Sequence, residues 1–134
     1  MTPSPKVTSL ELSKRLKSLG VSQESLWYWI KITPFGTNEK YYVVINHNNP
    51  ATKKDIDISA FTSDELMDSL PWTVNTKSKF GVELVVIKDK DAKGYCATYD
   101  DGNLETSPDA SAKTLSDALA KLKIHLIKEG IIKP

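Results

Sequence analysis

One cysteine, Cys96, stands among 134 residues. A single thiol excludes an internal disulfide framework and a cysteine-rich metal site, and it fits a reducing compartment. The two histidines, His47 and His125, have no second donor at ligand spacing, so neither points to a metal centre or a catalytic pair. No glycine-rich phosphate loop, nucleophile elbow or zinc pattern occurs. No uninterrupted apolar run approaches the roughly 18 residues of a membrane span. The opening Met1-Thr2-Pro3-Ser4-Pro5-Lys6 has no apolar core of the signal-peptide kind. Charge of neither sign dominates: 18 basic and 17 acidic side chains leave a formal +1. That balance gives no general attraction to nucleic acid or to an anionic membrane. The expectation is a cytoplasmic protein with no metal, no cofactor, and neither nucleic acid nor membrane as partner.

What remains is the material of one α+β domain. The length fits a single domain over residues 1–134, and 40% hydrophobic residues supply a core. Residues 1–6, with Pro3 and Pro5, read as a loose arm. The strongest element is a helix over 114–129, where Leu115, Ala118, Leu119, Leu122 and Leu126 share one face. Ala120, Ile124 and Ile127 widen that face into a band that a sheet must cover. Thr114 and Asp117 form an acidic capping box, and Gly130 with Ile131 closes the end. A first helix opens with Thr8 and Glu11 as a capping box and ends at Gly20. A short middle helix opens with Thr62 and Glu65 and stops at Pro71.

Strands fill the intervals. Leu26–Thr33 and Tyr41–Asn46 alternate as a pair about Pro34 and Gly36. Lys53–Ser59 alternates weakly at Ile56 and Ile58, as a short edge strand would. Val82–Lys88 is a continuous apolar run that predicts burial on both faces. Tyr95–Asp100 is its partner. Asp101-Gly102 is a hairpin signal, which places a short third strand at Asn103–Thr106. Thr73–Lys79 reads as loop. The predicted architecture is an antiparallel sheet of four to five strands, with the N- and C-terminal helices packed on one face.

Two groups invite a chemical reading. Asp89, Asp91 and Asp100 with Gly94 echo a calcium loop, but Lys93 falls on a ligand position and strands flank the segment. A polar hairpin turn explains it better, so no metal ligand is assigned. Cys96 lies in a strand with no basic neighbour in sequence to lower its pKa, which fits a structural thiol. The aromatic residues are the better candidates. Trp27 and Trp29 lie two apart in a strand and point the same way, with Tyr42 or Tyr41 opposite according to register. Trp72 follows the middle helix. Core packing accounts for such residues most simply. The functional reading is a contact surface, since Trp and Tyr dominate interfaces. The binding set is therefore Trp27, Trp29, Tyr42 and Trp72, with no catalytic residue.

Three stretches carry a resemblance. They are Leu10-Glu11-Leu12-Ser13-Lys14-Arg15-Leu16-Lys17-Ser18-Leu19-Gly20-Val21 running into Leu26-Trp27-Tyr28-Trp29, Ser59-Ala60-Phe61-Thr62-Ser63-Asp64-Glu65-Leu66 ending at Leu70-Pro71, and Leu115-Ser116-Asp117-Ala118-Leu119-Ala120-Lys121-Leu122 ending at Glu129-Gly130-Ile131-Ile132. Together they resemble a group of small proteins of phage, prophage and gut-type bacterial genomes. The resemblance implies an intracellular accessory protein acting on host or defence components, and it brings no site residue with it. The expected function is non-enzymatic binding of a protein partner, or self-association. The rival is a small-molecule or nucleotide-binding protein, or a small enzyme, with a pocket between the sheet and the Phe61–Trp72 segment.

Overall fold

The computed structural model describes residues 6–32, 40–45, 57–91 and 93–134. The element order is α1 (Leu10–Ser18), β1 (Trp27–Ile32), β2 (Lys40–Ile45), β3 (Ile58–Ala60), α2 (Ser63–Ser69), β4 (Thr73–Val74), β5 (Val82–Asp89), β6 (Gly94–Tyr99), β7 (Asp109–Ala112) and α3 (Leu115–Lys128). The protein is α+β, with its strands divided between two antiparallel sheets. One has order β2-β1-β3 and the other β4-β5-β6-β7. The single sheet expected above is thus two. The loose-arm reading of 1–6 falls outside the described residues except at Lys6.

The second sheet holds the core. α3 lies against β6 and β7 and also meets α1 and α2. Its Leu119, Leu122 and Leu126 are fully buried, as the helical stripe predicts. The core unites them with Leu12, Leu16, Phe61, Leu66, Leu70, Val82, Ala97 and Tyr99. Among the described residues, none from β1 or β2 belongs to it. No helix among the described residues is long and apolar enough to cross a membrane.

Local chemistry explains the helix ends. At α2, Thr62 Oγ1 accepts from the Glu65 N–H and the Glu65 carboxylate accepts from the Thr62 N–H, a complete capping box. At α3, Thr114 Oγ1 accepts from the Asp117 N–H at 3.2 Å. Asp117 does not return the bond to its own helix. Its carboxylate accepts from the Ser9 N–H at 2.8 Å, joining the start of α3 to that of α1. Gly130 takes φ +72° and the Ile131 N–H reaches the Leu126 carbonyl, closing the helix as expected. In α1 the cap is Ser9, one residue later than predicted. Thr8 is fully buried and occupied elsewhere. Its N–H donates to the Phe61 carbonyl at 2.8 Å, and its hydroxyl meets Ser13 Oγ at 2.7 Å and accepts from the Phe61 N–H.

Three strand expectations change. Thr73–Val74 is strand β4, paired with Glu83 and Val82, although its composition reads as loop. The third strand of the hairpin set is β7 at Asp109–Ala112, not Asn103–Thr106, which lies in turn structure. β5 is not buried on both faces: Val85 and Ile87 are 43% and 51% exposed, while Val82 is buried and Leu84 and Val86 are half-buried. The run is continuous in hydropathy but alternating in environment, because nothing among the described residues covers its outer face.

The 101–107 turn is tied to the 75–81 segment by Asp101. Its carboxylate accepts from Thr76 Oγ1, from Thr106 Oγ1 and Ser107 Oγ at 2.6 Å, and from the Asn103 N–H at 2.9 Å. Desolvation works against the charged form, but the bonds from Ser107, Thr106, Thr76 and Asn103 outweigh it and hold this carboxyl well below the usual carboxylate range. A depressed folded pKa contributes stability that is full above the unfolded pKa and lost as pH falls below it. Asp101→Ala is therefore expected to lower the melting temperature at pH 7. The gap to wild type should narrow as the pH is taken below the ordinary aspartate value of about 3.9. A gap constant from pH 7 into acid would show that the ionised carboxylate is not the tie.

Candidate functional site: an exposed tryptophan beside an apolar cleft

The four aromatic residues singled out by sequence do not form one patch. Trp27 and Trp29 share a face of β1, as their spacing requires, and both are half-buried. The register sets Trp29 against Val43, Lys31 against Tyr41 and Ile30 against Tyr42. Antiparallel partners point to the same side of a sheet, so Tyr41 joins the tryptophan face and Tyr42 lies on the other. Cover for the indoles comes from the chain's beginning. Trp29 Nε1 donates to the Thr8 carbonyl at 3.0 Å, and Lys14 Nζ of α1 stands 4.8 Å from the Tyr41 ring centroid. A cation at that distance over an aromatic face is attracted by the ring quadrupole. Tyr28 on the opposite face is buried, its hydroxyl donating to the Gln23 carbonyl at 2.9 Å.

Trp72 belongs to the other sheet and is 94% exposed. It stands in solvent between two stretches of backbone that are held in place. Before it, the Leu70 N–H still bonds to the Leu66 carbonyl, and the buried Tyr99 hydroxyl donates to the Pro71 carbonyl at 2.6 Å. Burial pushes the Tyr99 phenol up to about 12, so it remains a donor throughout the physiological range. After it, Thr73 and Val74 are held in the ladder with β5, and Val74 is buried.

Beside Trp72 lies a cleft of about 440 Å³ lined by Met67, Asp68, Leu70, Pro71, Trp72, Thr73, Glu83 and Leu84. Its floor is apolar and its charged residues, Asp68 and Glu83, are both acidic. Met67 is 42% exposed. The sequence signal for Trp72 was its position after a helix-stopping proline. Glu83 and Leu84 carried no such signal, since only the pairing of β4 with β5 brings them to α2. Two further large apolar side chains, Phe80 and Leu104, are 83% and 99% exposed on the segments tied by Asp101.

On the other side of α2 is a broader cavity of about 560 Å³, lined by Glu24, Glu65, Asp68, Ser69, Lys123 and Lys133 among others. Lys123 is 7% exposed, and its Nζ donates to Ser69 Oγ at 2.9 Å. Desolvation lowers its pKa from the usual lysine value.

The remaining candidates are placed as follows. Asp89 and Asp91 lie at the Gly94 end of β6 and Asp100 follows Tyr99 at the other end, so the hairpin separates the calcium-like set. Asp89 accepts from the Asp91 N–H, as a turn aspartate does. No cluster of three His, Cys, Asp or Glu side chains able to hold a metal occurs among the described residues. His125 is exposed on α3, and His47 lies outside the described residues. Cys96 is a free, half-buried thiol. No protein-family model, curated protein or solved structure matches the chain.

Proposed function

We propose that this chain is a non-enzymatic binding protein that acts by contact with another protein, with Trp72 as the anchor of the contact. The observation that carries the reading is the 94% exposed indole at the rim of an apolar cleft. Exposed tryptophan is costly to leave in water and is the residue most enriched at energetic centres of interfaces. Met67, Leu70 and Pro71 supply the apolar surround, and Asp68 and Glu83 favour a partner that brings a basic group. Trp27 and Trp29 serve as a secondary surface in this reading, and Tyr42, on the opposite face of the same sheet, stands apart from it. The resemblance to small phage and prophage proteins supports an accessory role inside a bacterial host. Capture from host cytosol with the wild-type chain and with Trp72→Ala tests it. The expected result is a set of proteins other than the bait that is retained by wild type and lost, by tenfold or more, with the variant. That loss corresponds to about 1.4 kcal/mol, modest for a buried tryptophan anchor. Identical profiles would sink the role of Trp72.

A second reading is favoured by one observation, the buried Lys123 amine in the wall of the 560 Å³ cavity. A desolvated lysine in a cavity is a candidate functional group, and this chain would then bind a small molecule beside α2. Metabolites released from the captured chain and lost with Lys123→Met, with the protein profile unchanged, would favour this reading over the first.

A further inference from the structure

Lys123 is a buried side chain with no counter-charge. It is the one lysine among the buried residues of the described chain. Its amine reaches from α3 to the end of α2, where Nζ donates to Ser69 Oγ at 2.9 Å. Among the described residues no carboxylate stands within ion-pair distance of it. Ser69 gives its own hydroxyl proton to the Leu66 carbonyl at 2.8 Å, so its oxygen meets the amine as an acceptor. One N–H of Lys123 is thereby fixed, and the rest of the amine group is left for whatever enters the cavity. An ammonium taken out of water without a counter-charge is costly, and a lysine relieves the cost by releasing its proton. The lowered pKa of Lys123, caused by desolvation, agrees with that geometry.

We propose that Lys123 is a nucleophilic amine that condenses with a small uncharged aldehyde in the cavity of about 560 Å³ beside α2, holding it as an imine. The proposal rests on the small-molecule reading above and deepens it by naming the class of ligand and the bond that retains it. The nitrogen lone pair attacks the carbonyl carbon, and the π pair moves to the oxygen, giving a carbinolamine. Loss of that oxygen with both amine protons leaves the C=N bond. One amine and one aldehyde give one imine and one water, with no oxidant or reductant.

The dehydration needs a proton donor, and the lining supplies candidates. Glu24, Glu65 and Asp68 all border the cavity. Glu65 is already committed, its carboxylate accepting from the N–H and hydroxyl of Thr62 and from the Leu26 N–H. Glu24 and Asp68 hold no hydrogen bond through their carboxylates among the described residues, and they are the groups that exchange the proton. The same lining sets the class of aldehyde. With Lys123 neutral, these three carboxylates stand against Lys133 alone. Such a wall repels an aldehyde that carries a carboxylate or phosphate and leaves an uncharged one unopposed.

Reductive trapping tests this on the unaltered chain. Propionaldehyde is supplied at neutral pH with cyanoborohydride, which reduces an imine to a stable secondary amine, and peptide mass spectrometry locates the labelled lysines. Lys128 is the internal reference, exposed on the same helix. Lys123 should be labelled at least about tenfold faster than Lys128, as a desolvated amine is activated. A buried lysine that only tied α3 to α2 would be shielded and labelled more slowly than Lys128. With glyoxylate, an aldehyde bearing a carboxylate, the ratio of Lys123 to Lys128 should fall at least about tenfold. Labelling of Lys123 no faster than Lys128, or the same ratio with both aldehydes, would overturn the proposal. Either result leaves the small-molecule reading to its metabolite-release experiment, which also detects ligands held without a covalent bond.

Discussion

Leu122→Ala is expected to remove about 2–5 kcal/mol of stability, the usual cost of truncating a fully buried leucine. Leu122 is completely buried within a core drawn from all three helices and the second sheet. The cost has two parts, the lost transfer free energy of the missing carbons and the cavity left behind. The cavity part should be large here. Fully buried Leu119 and Leu126 lie on the same stripe, and α3 is tied at its start to α1 through Asp117 and packed on β6 and β7. These ties resist a shift of the helix into the gap. Domains of this size are stable by only about 5–15 kcal/mol, so the variant should melt at markedly lower urea. Leu104→Ala is the internal control: Leu104 is 99% exposed, and surface changes away from special features stay within about 0.5 kcal/mol. A Leu122→Ala loss as small as that of Leu104→Ala would remove this side chain from the core.

Gly94→Ala is the second large effect, for a different reason. Gly94 opens β6 opposite Asp89, and its φ is not in the left-handed region. Alanine can adopt that backbone, so the cost is collision alone. A Cβ there would run into the Ala112 carbonyl oxygen, and would lie 3.2 Å from the Ala112 carbonyl carbon and 3.3 Å from Lys113 Cα. All three are backbone atoms, which cannot turn aside as a side-chain tip would. Overpacking of this kind costs about 1–3 kcal/mol, and β7 must move to relieve it. The expected signature is a lower urea midpoint together with faster amide exchange over Asp109–Ala112. Gly81→Ala provides the contrast, since nothing lies within 4 Å but φ is +69°. Its cost, about 1–2 kcal/mol, comes from the left-handed backbone and should leave exchange in β7 unchanged. Normal protection of β7 in Gly94→Ala would contradict the steric account.

Helices were legible because their signals are local. The α2 capping box and the α3 stripe with its Gly130 ending are written within one or two turns and appear as expected. Thr8 shows where local reading stops. Its spacing to Glu11 is that of a cap, but long-range bonds to Phe61 and Trp29 claim its polar groups, and Ser9 takes the role. Strand pairing is non-local, so the division into two sheets was not visible. β7 is Asp-Ala-Ser-Ala, with little intrinsic strand preference. It forms because α3 packs on it and half-buried Ala110 and Ala112 meet the core. The tryptophan face needs cover from some other part of the chain or from a partner. Its hydrogen-bonded cover is residue 8, which sequence distance gave no reason to choose. At the candidate site, Trp72 could be named from sequence, but its cleft arises only when β4 docks beside β5.

The bond from the Ser9 N–H to Asp117 spans 108 residues, and a second, from Ser116 Oγ to the Lys6 carbonyl, spans 110. On a ribosome the first helix therefore emerges long before its anchor exists. At about 5–20 residues per second, α1 waits roughly 5–20 s for Asp117. During that interval Leu12 and Leu16 have no α3 to lie against. The nascent chain is consequently vulnerable to proteases and to its neighbours until residue 117 has been made, and closure then joins the start of α3 to the start of α1.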